Sequence, residues 1–250
     1  MFKGFYNLTS GMLTQRARLN SIANNITNIT TPGFKGSHHT ISTFQDVMYH
    51  RVGNQDKSDY QEIGRQSYIV ATDEIVTDFT QGMLEETGIT LDFAIEGDGF
   101  FALRNEAGDT MYTRAGSFSL DEEGYLCYSN FGRVLDPNSN ELRVMTDKVT
   151  GDNSGNMYAT NGLLLGRVGV FTFDDPTQLE YNEEGFLVGA EGQANQDAKL
   201  RWGYLERSNV DMVSQMTEML SAQRAFQSAA QVTKIYDSLI TKVTSEIGRL

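Results

Sequence analysis

The chain has 250 residues, with 20 Lys and Arg against 33 Asp and Glu, a formal net charge of −13, and one cysteine, Cys127. Phosphate backbones and anionic lipid repel a chain with this excess of acid, so nucleic-acid and membrane binding are disfavoured as functions. A single cysteine excludes an internal disulfide framework and a multi-cysteine metal site. No apolar run approaches the roughly 20 residues of a membrane-spanning helix.

The N-terminal segment has the spacing of a helix. Apolar side chains recur every three or four positions, with Gln15 filling the single gap, which places them on one helical face. They are Phe5, Leu8, Met12, Leu19, Ile22, Ile26 and Ile29. Thr31-Pro32-Gly33 is expected to end this helix, because proline cannot continue it and glycine supplies a turn. Beyond the break, Phe44 to Tyr49 can extend the helix.

A longer helix is predicted at the C-terminus. Ser208 and Asn209 are good N-caps, and Gly248 stands where a helix would end. One face repeats every three or four residues over about five heptads: Met212, Met216, Met219, Gln223, Phe226, Ala230, Thr233, Asp237, Ile240, Thr244 and Ile247. A second row lies about 100° around the same helix: Ala225, Ala229, Val232, Tyr236, Leu239 and Val243.

Two interpretations of these terminal helices remain open. An ordinary helix lays one wide apolar stripe on the core of its own domain. A helix with two separate rows, and with Asn and Gln among them, instead meets two neighbours, one of which belongs to a partner chain. Polar residues in such a row lower stability but fix the register of the pairing.

The middle of the chain predicts antiparallel β-structure. Phe100–Arg104 and Thr110–Arg114 have strand composition on either side of a glycine-containing loop. The phrase Asp121-Glu-Glu-Gly124 recurs as Asn182-Glu-Glu-Gly185, which turn chemistry alone can produce. Gly151 to Gly162 has no periodicity and is predicted to be a long exposed loop.

Charge and glycine content divide the chain in the same way. Residues 1–35 carry +4, residues 206–250 are balanced, and the zone between them therefore carries −17 and 20 of the 24 glycines. The predicted fold class is α+β: long N- and C-terminal helices form an α-helical coiled-coil core domain, with an inserted antiparallel all-β domain. The predicted domains are a discontinuous helical core domain (1–45 and 205–250), an extended or loop connection (46–81) and a β-rich outer domain (82–204).

No catalytic, cofactor-binding or metal-binding constellation is recognised, and no cofactor is predicted. Gly97 to Ala102 matches a dinucleotide fingerprint, but that fingerprint requires a helix where these residues predict a strand. Asp136 to Asn140 has the oxygens of a calcium loop, but Glu141 replaces the glycine of the sharp turn, so a polar turn is favoured. Cys127 lies on a predicted strand and is expected to be a buried, unreactive thiol.

Five segments resemble the bacterial flagellar rod and hook proteins. Leu19 to Lys35, LNSIANNITNITTPGFK, is similar to the N-terminal signature of that family. Asp98–Phe101 and Tyr112–Phe118 resemble motifs of its middle domain. Gly203–Asp211 resembles the start of its C-terminal helix, and Gln223–Phe226 a motif within that helix. The resemblance covers both ends and the middle of the chain in the order the family shows.

The resemblance implies a structural subunit of the flagellar basal-body rod. Members of the family are exported by the flagellar type III apparatus and polymerise, with copies of themselves and with other rod and hook proteins, into a hollow helical shaft. The terminal helices then line the tube and the β domain lies outside. The helical ends of a free subunit are expected to be disordered and to fold on assembly.

The same resemblance implies a chain that lies in the periplasm-spanning rod and is not an enzyme. No nucleic-acid partner and no direct membrane insertion are expected. MFKGFYNLTSG has no apolar core and no cleavage site, so export without a cleaved signal peptide is expected. The short segment between Lys35 and Gly82 favours the proximal rod over a distal rod or hook-type protein. Candidate assembly-interface residues are polar and apolar side chains of the terminal helices: Asn24, Asn25, Asn28, Met212, Met216, Met219, Gln223, Arg224 and Phe226.

One alternative belongs to another class, an enzyme that acts on peptidoglycan. Such an enzyme needs two carboxyl groups about 5–9.5 Å apart, one of them with a raised pKa. Glu96, Asp98, Asp121 and Glu122 are close in sequence and are the candidates for that pair.

Overall fold

The computed structural model describes residues 2–52, 60–129, 131–182, 184–189 and 191–247. The chain forms two compact units. Unit 1 consists of Met1–Ile26, Ser37–Val76 and Asp211–Leu250, and unit 2 of Thr27–Gly36 and Thr77–Val210. The chain therefore crosses between the units at four places along its length.

Two α-helices and many short strands make up the described residues. The helices are α1 (Phe2–Thr27) and α2 (Met212–Ile247), and a short 3-10 helix covers Pro176–Gln178. The strands are β1 Ser37–Val52, β2 Tyr60–Thr77, β3 Leu84–Glu86, β4 Phe93–Glu96, β5 Phe100–Arg104, β6 Thr110–Thr113, β7 Ser119–Leu120, β8 Leu126–Tyr128, β9 Gly132–Val134, β10 Val149–Gly151, β11 Asn156–Ala159, β12 Leu164–Arg167, β13 Val170–Thr172, β14 Glu180–Tyr181, β15 Leu187–Val188, β16 Gln193–Ala194, β17 Lys199–Trp202 and β18 Tyr204–Glu206.

Unit 1 combines the two helices with a two-stranded sheet of β1 and β2. The helices run antiparallel, because Asn25 of α1 donates to Gln215 of α2 while Arg18 pairs with Glu218 at 3.3 Å. The segment Phe44 to Tyr49 lies in β1, so its predicted helical extension is wrong. Two long strands thus belong to the same unit as the helices.

The predicted fold class is wrong in its coiled-coil core. Strands predominate among the described residues, and the two terminal helices do not form a coiled coil. A coiled coil would bury a residue at every three to four positions along its seam. Instead, Met212 and Met216 of the predicted seam are about half exposed. Within Met212–Glu246, the range of α2 whose burial is described, Ala222 alone is buried. Heptad spacing defines a helical face, but whether a neighbour covers that face depends on the rest of the fold.

The start of α2 also differs from the prediction. Asp211 caps the helix, since its carboxylate accepts hydrogen bonds from the backbone N–H groups of Val213 and Ser214 at 3.3 and 3.0 Å. Ser208 and Asn209 precede the cap. The predicted closing residue, Gly248, lies outside the described part of the chain.

Unit 2 is built on antiparallel sheets. The largest contains β14, β15, β6, β5, β9, β8 and β7 in that order, with β13 pairing to β5 and to β16. The predicted hairpin of Phe100–Arg104 and Thr110–Arg114 is confirmed by the pairing of β5 with β6. The core of unit 2 includes side chains with no exposed surface, each of which contributes about 1.5–3 kcal/mol on burial: Phe93, Phe101, Leu103, Leu126, Val134 and Met157.

Five loops of unit 2 share one geometry, that of a three-residue hairpin loop whose last residue has a positive φ and forms a β-bulge. In each, the side-chain oxygen of the first residue accepts from the N–H four positions on, at 2.8–2.9 Å. The loops begin at Asn105, Asp121, Asp136, Asp152 and Asn182. The polar turn expected at Asp136 is confirmed. The long exposed loop predicted at 151–162 is wrong, since this region contains β11 and the buried Met157.

The residue three positions after the start of each loop has a positive φ. It is glycine in four of the loops and Ser139, with φ 62°, in the fifth. A non-glycine residue in this conformation costs roughly 1–2 kcal/mol, partly offset in the unfolded chain by the greater freedom of glycine. We therefore expect Ser139→Gly to raise the free energy of unfolding by about 0.5–1 kcal/mol. Urea unfolding followed by the fluorescence of Trp202, the single tryptophan, measures the change.

The matched control is Gly185→Ser, at the same loop position with φ 84° and open space where its Cβ would lie. It should lower the free energy of unfolding by a similar amount. An unchanged or lower stability of Ser139→Gly would show that the Ser139 backbone is not strained.

Candidate functional site

Three distant segments of the chain meet in unit 2 through buried charges. Glu206 of β18 binds Lys35 with one carboxylate oxygen at 2.6 Å and Arg114 with the other at 3.3 Å. Lys35 lies 171 and Arg114 lies 92 positions from Glu206 along the chain. All three side chains are at most 2% exposed. The buried ion pairs therefore connect the segment after α1, the end of strand β6 and the segment before α2.

Neutral backbone groups add further hydrogen bonds to these charges, and within the described part of the chain the buried Arg114 Nε–H has no hydrogen-bond partner. The Lys35 ammonium donates to Thr80 O at 2.6 Å, the Arg114 guanidinium donates to Gly97 O at 2.9 Å, and Glu206 accepts from Gly82 N–H at 2.8 Å. Burial lowers the pKa of Lys35, and the charge of Glu206 opposes that change. Burial also lowers the pKa of the Arg114 guanidinium, again opposed by Glu206. Two buried cations thus depend on one carboxylate.

The segment after α1 reaches these charges because of a close backbone approach. Gly33 has φ 71°, and a Cβ at this position would lie 2.3 Å from Ala115 N and from the carbonyl carbon of Arg114. Its N–H donates to Glu206 O at 2.7 Å. The next residue, Phe34, stacks on Tyr181 with ring centroids 6.5 Å apart. Only glycine combines this conformation with this contact.

Asn209 adds a second group of hydrogen bonds next to the buried charges. Its Oδ1 accepts from Gly36 N–H at 2.8 Å, and its Nδ2 donates to Asp78 O at 2.8 Å and to Thr80 O at 3.3 Å. Asp78 N–H in turn donates to Gly36 O at 2.8 Å. We call the combined set the junction cluster. It consists of Lys35, Gly36, Asp78, Thr80, Gly82, Arg114, Glu206 and Asn209.

The junction cluster is not apparent from the amino-acid sequence. Lys35, Arg114, Glu206 and Asn209 all lie in segments quoted for the family resemblance, but Asn209 was assigned as a helix cap and the others had no role. The feature of the sequence that could have indicated this site is the lysine, Lys35, that directly follows Pro32-Gly33-Phe34. The contact of these residues could not be derived from spacing, because it depends on contacts between segments that are far apart in the chain.

The candidate interface residues occupy different environments. Asn24, Gln223 and Arg224 are exposed, as are Met212 and Met216. The remaining candidates other than Asn25 are half-buried: Asn28, Met219 and Phe226. Exposed positions on both helices are therefore open to contact with another molecule.

Asn25 differs from the other candidates because its side chain is used inside unit 1. It is 4% exposed, and its Nδ2 donates to Ser37 O at 2.8 Å and to Gln215 Oε1 at 3.2 Å. Its Oδ1 accepts from Ser37 N–H at 3.0 Å. A single amide thus connects α1, the start of β1 and α2.

Two of the four carboxylates of the enzyme alternative, Glu96 and Asp121, take part in ion pairs. Glu96 binds Arg201 at 2.8 Å, and the hydrogen bond and charge of Arg201 lower its pKa. Burial acts to raise the pKa of Asp121, but the N–H of Tyr125 and the charge of Arg133 outweigh it and lower that pKa. Lowered pKa values are opposite to what a general acid requires. Asp98 and Glu122 are exposed.

Cys127 is buried, 3.3 Å from Ser119 Oγ, as predicted for an unreactive thiol. Phe100 begins a strand directly after Gly97 and Gly99, so no helix opens at the dinucleotide-like sequence. Among the described residues, no helix has the length and apolarity to span a bilayer, and no group of three or more His, Cys, Asp or Glu side chains is placed to hold a metal ion.

Comparison with known proteins identifies the family. Residues 5–35 match the model of the flagella basal body rod protein, 94–218 that of the flagellar hook protein FlgE/F/G D1 domain, and 202–246 that of the flagellar basal body rod FlgEFG protein C-terminal region. The chain is 31% identical to the flagellar basal-body rod protein FlgG of Bacillus subtilis, covering 98% of this chain and 99% of the relative. It is 29% identical to FlgG of Borreliella burgdorferi (96% and 97% covered) and 28% to FlgF of Caulobacter vibrioides (100% of both).

The chain belongs to the flagellar basal-body rod protein family. It is a structural subunit of the rod in the bacterial flagellar basal body, as the motifs of the sequence predicted. The junction cluster draws one residue or more from each of the three matched regions: Lys35 from the first, Arg114 from the second, and Glu206 and Asn209 from the third.

Proposed function

We propose that this subunit polymerises with copies of itself, and with other rod and hook proteins, into a hollow helical shaft. The observation that carries the proposal is the apolar surface of α2. Exposed Val, Met, Leu and Ile side chains recur every three or four residues in two stretches of the helix: Val213, Met216 and Leu220, then Val232, Ile235, Leu239 and Val243. Contiguous exposed apolar surface of this kind marks protein interaction sites.

The interface proposal includes both terminal helices. On α1, Phe5, Tyr6 and Leu13 are 40–64% exposed. The polar candidates Asn24, Asn28, Gln223 and Arg224 would form hydrogen bonds between subunits, and Met212, Met216, Met219 and Phe226 apolar contacts. Asn25 would support this interface from inside unit 1, by holding α1 and α2 together. The proposed domains are a helical domain of 1–45 and 205–250, a connection at 46–81 and an outer domain at 82–204.

The location and route of the subunit are proposed from the same resemblance. We infer a position in the periplasm-spanning rod, reached by flagellar type III export, with no catalytic role and no nucleic-acid partner. Relatives named FlgG and FlgF both cover nearly the whole chain. Coverage by relatives of both names does not distinguish the parts of the rod. The proposal of the proximal part rests on the short segment between Lys35 and Gly82.

Ile235→Glu tests the proposed assembly face. Ile235 is 59% exposed, so a carboxylate there leaves the subunit folded but places a charge in the apolar contact. The variant is expressed in a strain from which the gene for the wild-type subunit is deleted. We expect these cells not to swim and to show no intact basal bodies in electron micrographs. Circular dichroism and Trp202 fluorescence of the purified variant should equal those of the wild type.

The matched control is Lys234→Glu, the neighbouring exposed position about 100° around the helix, where the charge change is larger. It should retain motility. Normal swimming and normal basal bodies with Ile235→Glu would contradict the proposed interface on this face of α2.

A further inference from the structure

We propose that the junction cluster holds together three of the four points at which the chain passes between unit 2 and unit 1, so that the elements of unit 1 begin side by side before assembly orders them. The proposal rests on the self-assembly proposed above. The chain leaves unit 2 after Gly36, returns at Thr77, and leaves again after Val210. Beyond these points lie β1, the end of β2, and α2.

The hydrogen bonds of Asn209 connect these three points directly. Its side chain accepts from Gly36 N–H and donates to Asp78 O, and Asp78 N–H donates to Gly36 O, all at 2.8 Å. Gly36 also lies against Val210, since a Cβ on Gly36 would be 3.0 Å from Val210 Cγ2. Each of the three connections is therefore held within one or two residues of the place where the chain changes unit.

The buried charges connect the same three segments a few residues further inside unit 2. Lys35 binds Glu206, which joins the segment of Gly36 to the segment of Asn209. Lys35 also donates to Thr80 O, and Glu206 accepts from Gly82 N–H, so both residues hold the segment that follows Asp78. Every residue of the junction cluster belongs to unit 2. The junction cluster can therefore form without the helices, and it stays in place in a subunit whose helical ends are disordered.

The benefit for assembly is entropic. Residues 36 and 210 are far apart in the chain, and bringing the ends of such a long loop together has a cost that rises with loop length. A preformed junction removes that cost from the assembly step and raises the effective concentration of one helix near the other. Without it, unit 1 would have to gather its elements and meet a neighbouring subunit at the same time.

Asn209→Ala tests this inference in the full-length protein. The variant removes the hydrogen bonds to Gly36, Asp78 and Thr80 and leaves the buried ion pairs intact. We expect faster hydrogen exchange at the Gly36 and Asp78 amides, unchanged Trp202 fluorescence, and a polymerisation threshold raised about tenfold, as expected for a net loss of one or two hydrogen bonds. Light scattering and sedimentation over a concentration series measure that threshold.

Two further variants sharpen the result. Asn209→Asp keeps the acceptor for Gly36 N–H but removes the donor to Asp78 and Thr80, so its threshold should lie between those of the wild type and Asn209→Ala. Asn138→Ala changes an exposed asparagine of unit 2 outside the junction cluster and should leave exchange and threshold unchanged.

The outcomes separate the two proposals. Wild-type protein that does not polymerise at any concentration counts against the proposed function itself. Wild-type polymerisation together with Asn209→Ala polymerisation at the same threshold overturns the role of the junction cluster, whether or not amide exchange is faster. A raised threshold with unchanged exchange at Gly36 and Asp78 would overturn it too, because the connections would then have stayed closed.

Discussion

Replacing Glu206 with Gln is expected to cost unit 2 about 3–5 kcal/mol of stability, since removing one partner of a buried ion pair leaves the other charge uncompensated. Here one carboxylate serves two cations, Lys35 and Arg114, at 2.6 and 3.3 Å. The loss is a large part of the roughly 5–15 kcal/mol that a domain has in total. Urea unfolding followed by Trp202 fluorescence measures it, because the indole N–H is bound to Thr90 O within unit 2.

Glu96→Gln provides the control for that measurement. Glu96 forms an ion pair with Arg201 at 2.8 Å, but both side chains are nearly half exposed. Solvent screens such a pair, so its loss should cost no more than about 1 kcal/mol. Equal effects of Glu206→Gln and Glu96→Gln would show that the buried charges do not hold unit 2 together.

A double variant keeps this prediction testable if Glu206→Gln does not fold. Combining it with Lys35→Met removes one of the two cations left without a partner. The double variant should then be more stable than Glu206→Gln alone, because the two changes act on one contact and are not additive. A double variant less stable than either single one would contradict the assignment of the buried charge as the cause.

Gly33→Ala is expected to lower the free energy of unfolding by about 2–5 kcal/mol, combining backbone strain with steric overlap. Its φ of 71° is unfavourable for any residue with a side chain, and the added Cβ would lie 2.3 Å from the backbone of Arg114 and Ala115. The segment after α1 would have to move away from the end of β6, which separates Lys35 from Glu206. Urea unfolding of unit 2 measures the loss, and hydrogen exchange at Gly36 shows whether the segment has moved.

Gly88→Ala separates the two causes of that loss. Gly88 has a similar φ of 68°, but nothing lies within 4 Å of the position of its Cβ. Its substitution should cost only the backbone strain, about 1–2 kcal/mol. If Gly33→Ala costs no more than Gly88→Ala, the close approach to Arg114 is not what fixes Gly33.

The junction cluster also explains why segments far apart in the sequence are needed together in one subunit. Lys35, Arg114 and Glu206 are each costly to bury alone, so none of the three segments packs well without the other two. Their contact makes the ordering of the chain after α1 and before α2 depend on the fold of unit 2. The rod family models match these same three regions.

Local elements and family membership could be predicted from the order of residues alone. Apolar side chains at three- and four-residue steps predicted α2, and the alternation around Asn105 predicted the β5–β6 hairpin, because both patterns depend on neighbours in the chain. Five segments in family order predicted a rod protein, which the comparisons confirm. Near α1, the Pro32-Gly33 break predicted the end of the helix, which ends earlier, at Thr27, and strand β1 follows where a helical extension was predicted.

Two features depend on contacts between distant parts of the chain: whether a helical face is covered by a neighbour, and which charged side chains come into contact. The heptad spacing of α2 predicted a coiled coil, but its seam stays partly exposed and β1 and β2 share the unit with the helices. Residues 151–162 lack periodicity, yet two tight turns place Met157 in the core. Lys35, Arg114 and Glu206 meet because backbone contacts within unit 2, such as that of Gly33 with Arg114 and Glu206, bring their segments together. Long-range contacts of this kind leave no periodic signal along the chain.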